Sequence, residues 1–235
     1  MKVTIVEKMR KIWRASLFFA IPIIVYGIAL IPVSIFLYFN INFFSFEMLH
    51  IILFSIFLMF DYFVLLFSLI FSSAFFINVL NLKYEEGEYE QNLKEKMYFK
   101  YNLYFILYYP VYRFLNIIVY PPIKSFYLRL IGAKIGRGVF LSLDEIIFDP
   151  CLIEIGDKTM IGSKAMILAH VGEEKLILKK TKIGKNCIIG AESLIMPGVI
   201  IEDNVVLGAK SFVPKNAILK KGKIYAGVPV KELNL

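Results

Sequence analysis

An aliphatic residue recurs at every sixth position through the second half of this 235-residue chain. Extra residues interrupt the recurrence twice, and elsewhere it keeps its register. The aliphatic positions are Ile135, Leu141, Ile147, Ile155, Ile161, Ile167, Ile183, Ile189, Ile195, Ile201, Leu207, Val213 and Leu219. Glycine follows directly at Gly136, Gly156, Gly162, Gly184, Gly190 and Gly208. A fixed internal period of this kind is typical of solenoids, whose short repeats pack only against their neighbours.

The period has a direct structural meaning. Each six-residue unit provides one short strand and one turn; its aliphatic side chain points inwards, and its glycine relieves a tight or positive-φ corner. Three units close one triangular coil, and stacked coils bury a continuous aliphatic column while their strands pair along the axis. The sequence therefore predicts a parallel β-helix over residues 131–235.

The unit, an Ile, Leu or Val followed by glycine and four variable residues, resembles the signature of the hexapeptide-repeat acyltransferases. The ending YAGVPVKEL is similar to their C-terminal element. This resemblance implies a left-handed coil, against the right-handed preference of other parallel crossovers. It also implies a homotrimer and an acyl group, expected to be acetyl, carried by coenzyme A. The segment YLRLIGAKIG resembles the entry to the C-terminal domains of poly-lysine-type synthetases, which also lie beside membrane helices.

The two breaks in the repeat are candidate functional segments. Two extra residues lie between Ile147 and Ile155, and ten lie between Ile167 and Ile183. A solenoid accepts insertions at its corners, and loops on a rigid scaffold often carry chemistry. The longer insertion contains His170, the single histidine of this part of the chain.

Acyl transfer from a thioester needs a base that removes a proton from the attacking hydroxyl or amine. Histidine suits this role because it ordinarily titrates near neutral pH. The family resemblance implies that His170 is the general base. The order His170-Val-Gly-Glu173 is similar to the His-x-x-Glu of the poly-lysine-type domains, so Glu173 is favoured as the acid that orients it. Asp149, in the shorter break, is the second candidate, and either acid could instead be a solvated loop residue.

Donor binding is expected on the later coils. In the family that the repeat resembles, the pantetheine arm lies in a groove between adjacent coil stacks, which implies contacts at Gly190, Ala191, Gly208 and Ala209. The same residues would also be needed as corner residues. The nucleotide phosphates need positive charge, for which Lys215 and Lys231 are the candidates. Val228 stands where many relatives have asparagine. The thioester is already activated, so no metal is expected.

The first 82 residues have a different composition. No charged residue lies between Ala15 and Phe46, and Asp61 is the one charged residue from Met48 to Leu82. About 20 apolar residues in a helix span the hydrocarbon core of a bilayer. We expect a hairpin of two membrane helices, over about residues 15–39 and within 50–80. The N-terminus is basic and the connection at 40–47 carries no base, so the positive-inside rule predicts a cytoplasmic N-terminus and a cytoplasmic segment 83–235.

Residues 83–130 connect the two regions. A polar linker is expected over 83–96, followed by an apolar segment that is interrupted by bases and by Pro110 and Pro121–Pro122. Eight tyrosines lie in that segment. The pattern favours helices in the cytoplasmic interface, with tyrosine rings at headgroup depth. A third membrane span is the alternative.

Together these features predict an α+β membrane protein of the cell membrane. Its parts are an N-terminal transmembrane helical hairpin (1–82), a linker with interfacial helices (83–130) and a left-handed parallel β-helix acyltransferase domain (131–235). The expected reaction moves an acyl group from acetyl-CoA, or another acyl-CoA, to a lipid-linked or amphiphilic acceptor at the bilayer. Peptide-bond formation from a carrier-bound aminoacyl thioester and a non-catalytic scaffold are the alternatives.

Two function classes are disfavoured. Carbonic anhydrases of this fold need three histidine ligands, and residues 131–235 contain one histidine. A nucleic-acid partner would require a clustered basic face, whereas the bases of this part are scattered.

Overall fold

The structure, a computed structural model, describes residues 5–44, 47–116, 121–142 and 144–233. Two long helices, α1 (Ile5–Phe43) and α2 (Met48–Val79), form an antiparallel hairpin. Both are longer than the sequence predicted. Ser16–Phe43 and Met48–Val79 are long and apolar enough to cross a membrane, judged by length and composition.

Asp61 has a polar partner inside the hairpin. The Asn40 side-chain amide donates a hydrogen bond of 2.7 Å to its carboxylate, and both side chains are buried. A bonded neighbour lowers the cost of placing a carboxylate among apolar helices. Asp61 therefore links the middle of α2 to the last turn of α1.

Two shorter helices, α3 (Lys96–Phe114) and α4 (Pro121–Leu130), lie between the hairpin and the β-helix. Pro110 was expected to divide its segment, but it lies inside α3. A proline has no N–H to donate to the carbonyl four residues earlier, here that of Ile106. The Tyr26 hydroxyl of α1 donates to that carbonyl at 2.6 Å. This bond replaces the one that Pro110 cannot make and fastens α3 to the hairpin.

The tyrosines of this segment correct a second expectation. Tyr104, Tyr108, Tyr112 and Tyr127 are almost completely buried inside the protein rather than placed at headgroup depth. Their rings fill the layer between the hairpin and the first coil. Three of the hydroxyls bond to internal groups, as buried tyrosines usually do: Tyr104 to Ile131 O, Tyr112 to the Glu145 carboxylate and Tyr127 to Ser73 Oγ.

A buried ion pair fixes α4 to the first coil. Lys124 Nζ lies 2.9 Å from the Glu145 carboxylate, and both side chains are fully buried. Tyr112 also donates to this carboxylate, at 3.0 Å. Burial raises the pKa of Glu145, while Lys124 opposes the shift.

The rest of the chain is built from short strands. In chain order they are β1 (Gly87–Tyr89), β2 (Lys134–Ile135), β3 (Phe140–Leu141), β4 (Ile146–Ile147), β5 (Ile153–Ile155), β6 (Met160–Ile161), β7 (Met166–Ile167), β8 (His170–Gly172), β9 (Leu176–Leu178), β10 (Thr181–Ile183), β11 (Ile188–Ile189), β12 (Leu194–Ile195), β13 (Ile200–Ile201), β14 (Val206–Leu207), β15 (Phe212–Val213), β16 (Ile218–Leu219), β17 (Ile224–Ala226) and β18 (Lys231–Leu233).

Most of these strands form three parallel sheets, which are the faces of a β-helix. Sheet I contains β2, β5, β10, β13 and β16; sheet II contains β3, β6, β11, β14 and β17; sheet III contains β4, β7, β12 and β15. The final strand, β18, pairs antiparallel with β17. Successive coils are in register, so that Ile135 pairs with Ile155 and Ile155 with Ile183.

The structure confirms the aliphatic column. All the aliphatic residues of the repeat are buried, at 8% exposure or less. The glycines of the repeat are needed for close packing rather than for positive φ. A Cβ at Gly190 would lie 2.3 Å from Ala209 N in the next coil. The positive-φ position comes two residues after each of these glycines and is often not glycine, as at Asn186 and Lys210.

Candidate active site

The two breaks of the repeat meet at one corner of the β-helix. We call it the III–I corner: the segments that lead from sheet III of one coil to sheet I of the next. The shorter break joins β4 to β5 and the longer one joins β7 to β10, so they are stacked one coil apart. This stacking brings together Asp149 and His170, which are 21 residues apart in sequence.

The two breaks hold their side chains by different means. Asp149 has left-handed backbone dihedrals, with φ of 57°, and a 3₁₀ turn (Pro150–Leu152) follows it. The longer break is an antiparallel hairpin of β8 and β9, with His170 on β8. Strand β1, from the predicted polar linker, pairs with β9 as a third strand. The expected loop is therefore an ordered three-stranded sheet, and part of the linker belongs to it.

His170 and Asp149 form a close pair. His170 Nδ1 lies 2.6 Å from Asp149 Oδ2. The Ala169 N–H also donates to Oδ2, at 3.3 Å, and the Tyr84 hydroxyl donates to Oδ1 at 2.6 Å. Asp149 is 1% exposed, whereas the side chain of His170 is 21% exposed. The carboxylate thus accepts from three donors. Nε2 of His170 has no hydrogen-bond partner among the described residues, so a ligand can bind there.

Aromatic rings surround the pair. Tyr101 and Phe148 lie edge-on to the imidazole, with centroid distances of 5.4 and 5.6 Å. Burial, followed by the charge of Asp149, raises the pKa of Tyr84 well above its ordinary value. Tyr84 therefore stays protonated at neutral pH and can donate to the carboxylate.

Glu173, the acid favoured from the sequence, lies elsewhere. Its carboxylate pairs with Lys215 Nζ at the exposed end of the hairpin, and its carbonyl accepts from the Gln91 side chain at 2.7 Å. The structure thus brings Asp149, and not Glu173, to His170. The reason is that Glu173 lies in the turn between β8 and β9, where its N–H donates to the Lys175 carbonyl, and not on β8 beside His170.

The predicted donor residues are divided between two corners. Gly190, Ala191, Gly208 and Ala209 lie at the II–III corner, between the strands of sheet II and those of sheet III. Lys215 lies at the III–I corner, beyond His170 along the axis, where it meets Glu173. Lys231 lies on β18, near the end of the chain, and is exposed. The structure therefore brings Lys215 to the His170 corner and leaves the other predicted donor contacts away from it.

Three residues of this site were not predicted. Phe148 directly precedes Asp149 in the shorter break, so the break itself gave a local signal. Tyr84 and Tyr101 come from the linker and from α3, and no motif marks either one. Among the described residues, no three His, Cys, Asp or Glu side chains are placed to hold a metal ion.

Comparison with known proteins agrees with the repeat. The family described as "Bacterial transferase hexapeptide (six repeats)" matches residues 180–215. Comparison with curated protein sequences gives no match.

Similar solved structures include a maltose O-acetyltransferase from Clostridium difficile 630, with 19% identity, a TM-score of 0.50, and coverage of 63% of this chain and 91% of that one. A galactoside acetyltransferase in complex with coenzyme A has 19% identity and a TM-score of 0.45, with 55% and 78% covered. A hexapeptide-repeat-containing acetyltransferase from Vibrio cholerae has 16% identity and a TM-score of 0.44, with 52% and 85% covered.

At such identities the likeness concerns the fold. The matched repeat lies within the parallel β-helix, and the maltose O-acetyltransferase structure is similar to this chain in fold.

Proposed function

We propose that the protein is an acyltransferase that moves an acyl group, expected to be acetyl, from a coenzyme A thioester to a hydroxyl or amine of a membrane-associated acceptor. The observation that carries this proposal is the Asp149–His170 pair at a corner of a hexapeptide-repeat fold. One imidazole nitrogen is held by a buried carboxylate, and the other is left for a ligand. This is the arrangement expected of a general base whose tautomer is fixed by an acid.

The proposed chemistry follows from this geometry. Nε2 of His170 accepts the proton of the acceptor hydroxyl or amine while its oxygen or nitrogen bonds to the acyl carbon. The carbon–sulfur bond then breaks, and the imidazolium gives its proton to the coenzyme A thiolate. Asp149 keeps Nδ1 protonated and stabilises the imidazolium. Tyr84 holds Asp149 and does not touch the reacting atoms.

A homotrimer would complete this site. The candidate donor residues Gly190, Ala191, Gly208 and Ala209 lie at a different corner of the coil from His170, so a neighbouring copy could supply them. The outer face of sheet II supports such an assembly. Phe140, Met160 and Ile188 are paired neighbours there and are 46–49% exposed. Lys215 and Lys231 are proposed to meet the nucleotide phosphates.

The membrane part of the proposal rests on the hairpin. Each helix buries only 11% of its most apolar stretch, whereas a helix in the core of a soluble protein is mostly buried. Among the side chains that the structure describes, many large apolar ones of α1 and α2 are exposed. With the basic N-terminus, the positive-inside rule then favours a cytoplasmic β-helix. The acceptor would reach it from the inner face of the cell membrane.

The test uses detergent-purified full-length protein, acetyl-CoA and a membrane lipid extract. Release of free thiol should accompany the gain of one acetyl mass on an extract component, detected by mass spectrometry. Absence of both turnover and coenzyme A binding would overturn the proposal. If the protein binds coenzyme A but acetylates no component of any extract, coenzyme A would remain the proposed donor, and a membrane-associated acceptor would be rejected.

A further inference from the structure

Aromatic rings, three of them from α3 and one from the shorter break, form the surface beside His170. We call Tyr101, Phe105 and Tyr109 of α3, together with Phe148, the aromatic row. Phe105 and Tyr109 are stacked at 4.8 Å, and Tyr109 and Phe148 at 5.9 Å, with nearly parallel planes. Tyr101 and Phe148 contact the imidazole itself. All four rings are only partly buried, so the row is a surface that a ligand can reach.

The row is continuous because of its helical spacing. Tyr101, Phe105 and Tyr109 are four residues apart and share one face of α3. At 1.5 Å per residue they extend for about 12 Å. None of the four side chains carries a charge. A substrate group that lies along this face next to Nε2 would therefore meet apolar rings.

The opposite side of α3 packs against the hairpin. Tyr26 of α1 bonds to the Ile106 carbonyl, and Val111 lines a small apolar cavity with Leu65 and Leu69 of α2. One helix, about 10 Å across, thus separates His170 from the two long apolar helices. The catalytic pair is therefore next to the part of the molecule that would contact lipid.

We propose that the aromatic row binds the hydrocarbon portion of an amphiphilic acceptor and places its hydroxyl or amine at His170 Nε2. The inference rests on the proposed function and specifies its substrate class. Partly exposed rings gain free energy when a hydrocarbon chain covers them. A small polar acceptor, such as a free sugar, would leave the row uncovered.

The first experiment detects hydrocarbon at the row without turnover. The chain has a single tryptophan, Trp13, so Trp13→Phe provides a dark background for Phe105→Trp. The full-length variant is reconstituted in phosphatidylcholine vesicles with or without brominated acyl chains, which quench tryptophan on contact. We expect quenching at position 105. Phe36→Trp, on the exposed surface of α1, is the positive control, and Phe212→Trp, on β15, is the unquenched control. Quenching at 36 without quenching at 105 would overturn the inference.

The second experiment measures turnover on the membrane lipid extract. Phe105→Ala should lower kcat/KM for the acceptor by about tenfold through loss of apolar contact, with an unchanged KM for acetyl-CoA. Phe105→Leu should retain most activity, which separates lost contact from misfolding. If Phe105→Ala leaves the KM for the acceptor unchanged, the inference is wrong. If position 105 is quenched but the wild-type protein transfers no acetyl group, the proposed function fails and the hydrocarbon site stands.

Discussion

The two breaks of the repeat are alike in position and different in construction. The shorter break holds Asp149 in a buried, left-handed turn that is closed by a proline. The longer break holds His170 on a hairpin that also binds a strand from the linker. Under the proposed function, the residue that orients the base is thus in the closed turn, and the base that meets the substrate is on the hairpin that projects. A solenoid can build a two-residue site by interrupting its repeat twice at the same corner.

Both breaks also contact the same segment of the chain outside the β-helix. The shorter break is reached by Tyr84 and the longer one by β1, and both come from residues 83–96. This segment follows directly after the hairpin. The linker therefore holds both halves of the site and is more than a tether.

The largest expected effect is at the base in the longer break. His170→Ala removes the group that accepts the proton in the proposed mechanism, so kcat should fall on the order of 10²- to 10⁴-fold. Thiol release from acetyl-CoA in the presence of lipid extract measures it. His50→Ala, which changes the other histidine of the chain in α2, should leave the rate unchanged. An equal loss in both variants would point to a general effect on the fold rather than to a catalytic role of His170.

A smaller effect is expected in the shorter break. Asp149→Asn keeps the shape of the side chain but removes the charge that fixes the imidazole tautomer, so kcat should fall by about 10²- to 10⁴-fold and by no more than in His170→Ala. The imidazole remains between Tyr101 and Phe148, which limits the loss. The KM for acetyl-CoA should not change, because Asp149 is buried and does not meet the donor. A rise in KM without a fall in kcat would assign Asp149 to donor binding instead.

The third change tests the support from the linker. Tyr84→Phe removes one hydrogen bond to the buried carboxylate and should lower the free energy of unfolding by about 1.5–3 kcal/mol, with a smaller loss of kcat than Asp149→Asn. Tyr104→Phe is the matched control: the two rings are 5.3 Å apart, but the Tyr104 hydroxyl bonds to a backbone carbonyl. It should lower stability without lowering kcat. Equal losses of kcat in the two variants would mean that Tyr84 contributes through packing and not through its hydrogen bond to Asp149.

The fold was predictable where the signal is periodic. The inward position of each aliphatic residue follows from the six-residue spacing alone, because every coil repeats the same local geometry. The apolar helices were likewise evident from their length. The burial of the tyrosines was not, since a Tyr-rich helix has the same composition whether its rings face headgroups or a protein layer.

The site was only half predictable, for reasons of geometry. Counting three units per coil places both breaks at one corner, so Asp149 could have been preferred from the register. The nearby spacing His-x-x-Glu pointed to Glu173 instead, but Glu173 lies in the hairpin turn after β8 and pairs with Lys215. Tyr84 and Tyr101 depend on how the linker and α3 dock on the β-helix. No local sequence pattern predicts how these segments dock.

The smallest expected effect decides between the two acids. Glu173→Gln breaks an exposed ion pair with Lys215 and should change neither kcat nor the thermal unfolding measurably, because exposed pairs contribute little. Assayed beside Asp149→Asn, it uses the same acid-to-amide change in the other break. If Lys215 meets the donor phosphates, its release from Glu173 would lower the KM for acetyl-CoA and leave kcat alone. A fall in kcat like that of Asp149→Asn would instead mean that the hairpin rearranges during catalysis and brings Glu173 to His170.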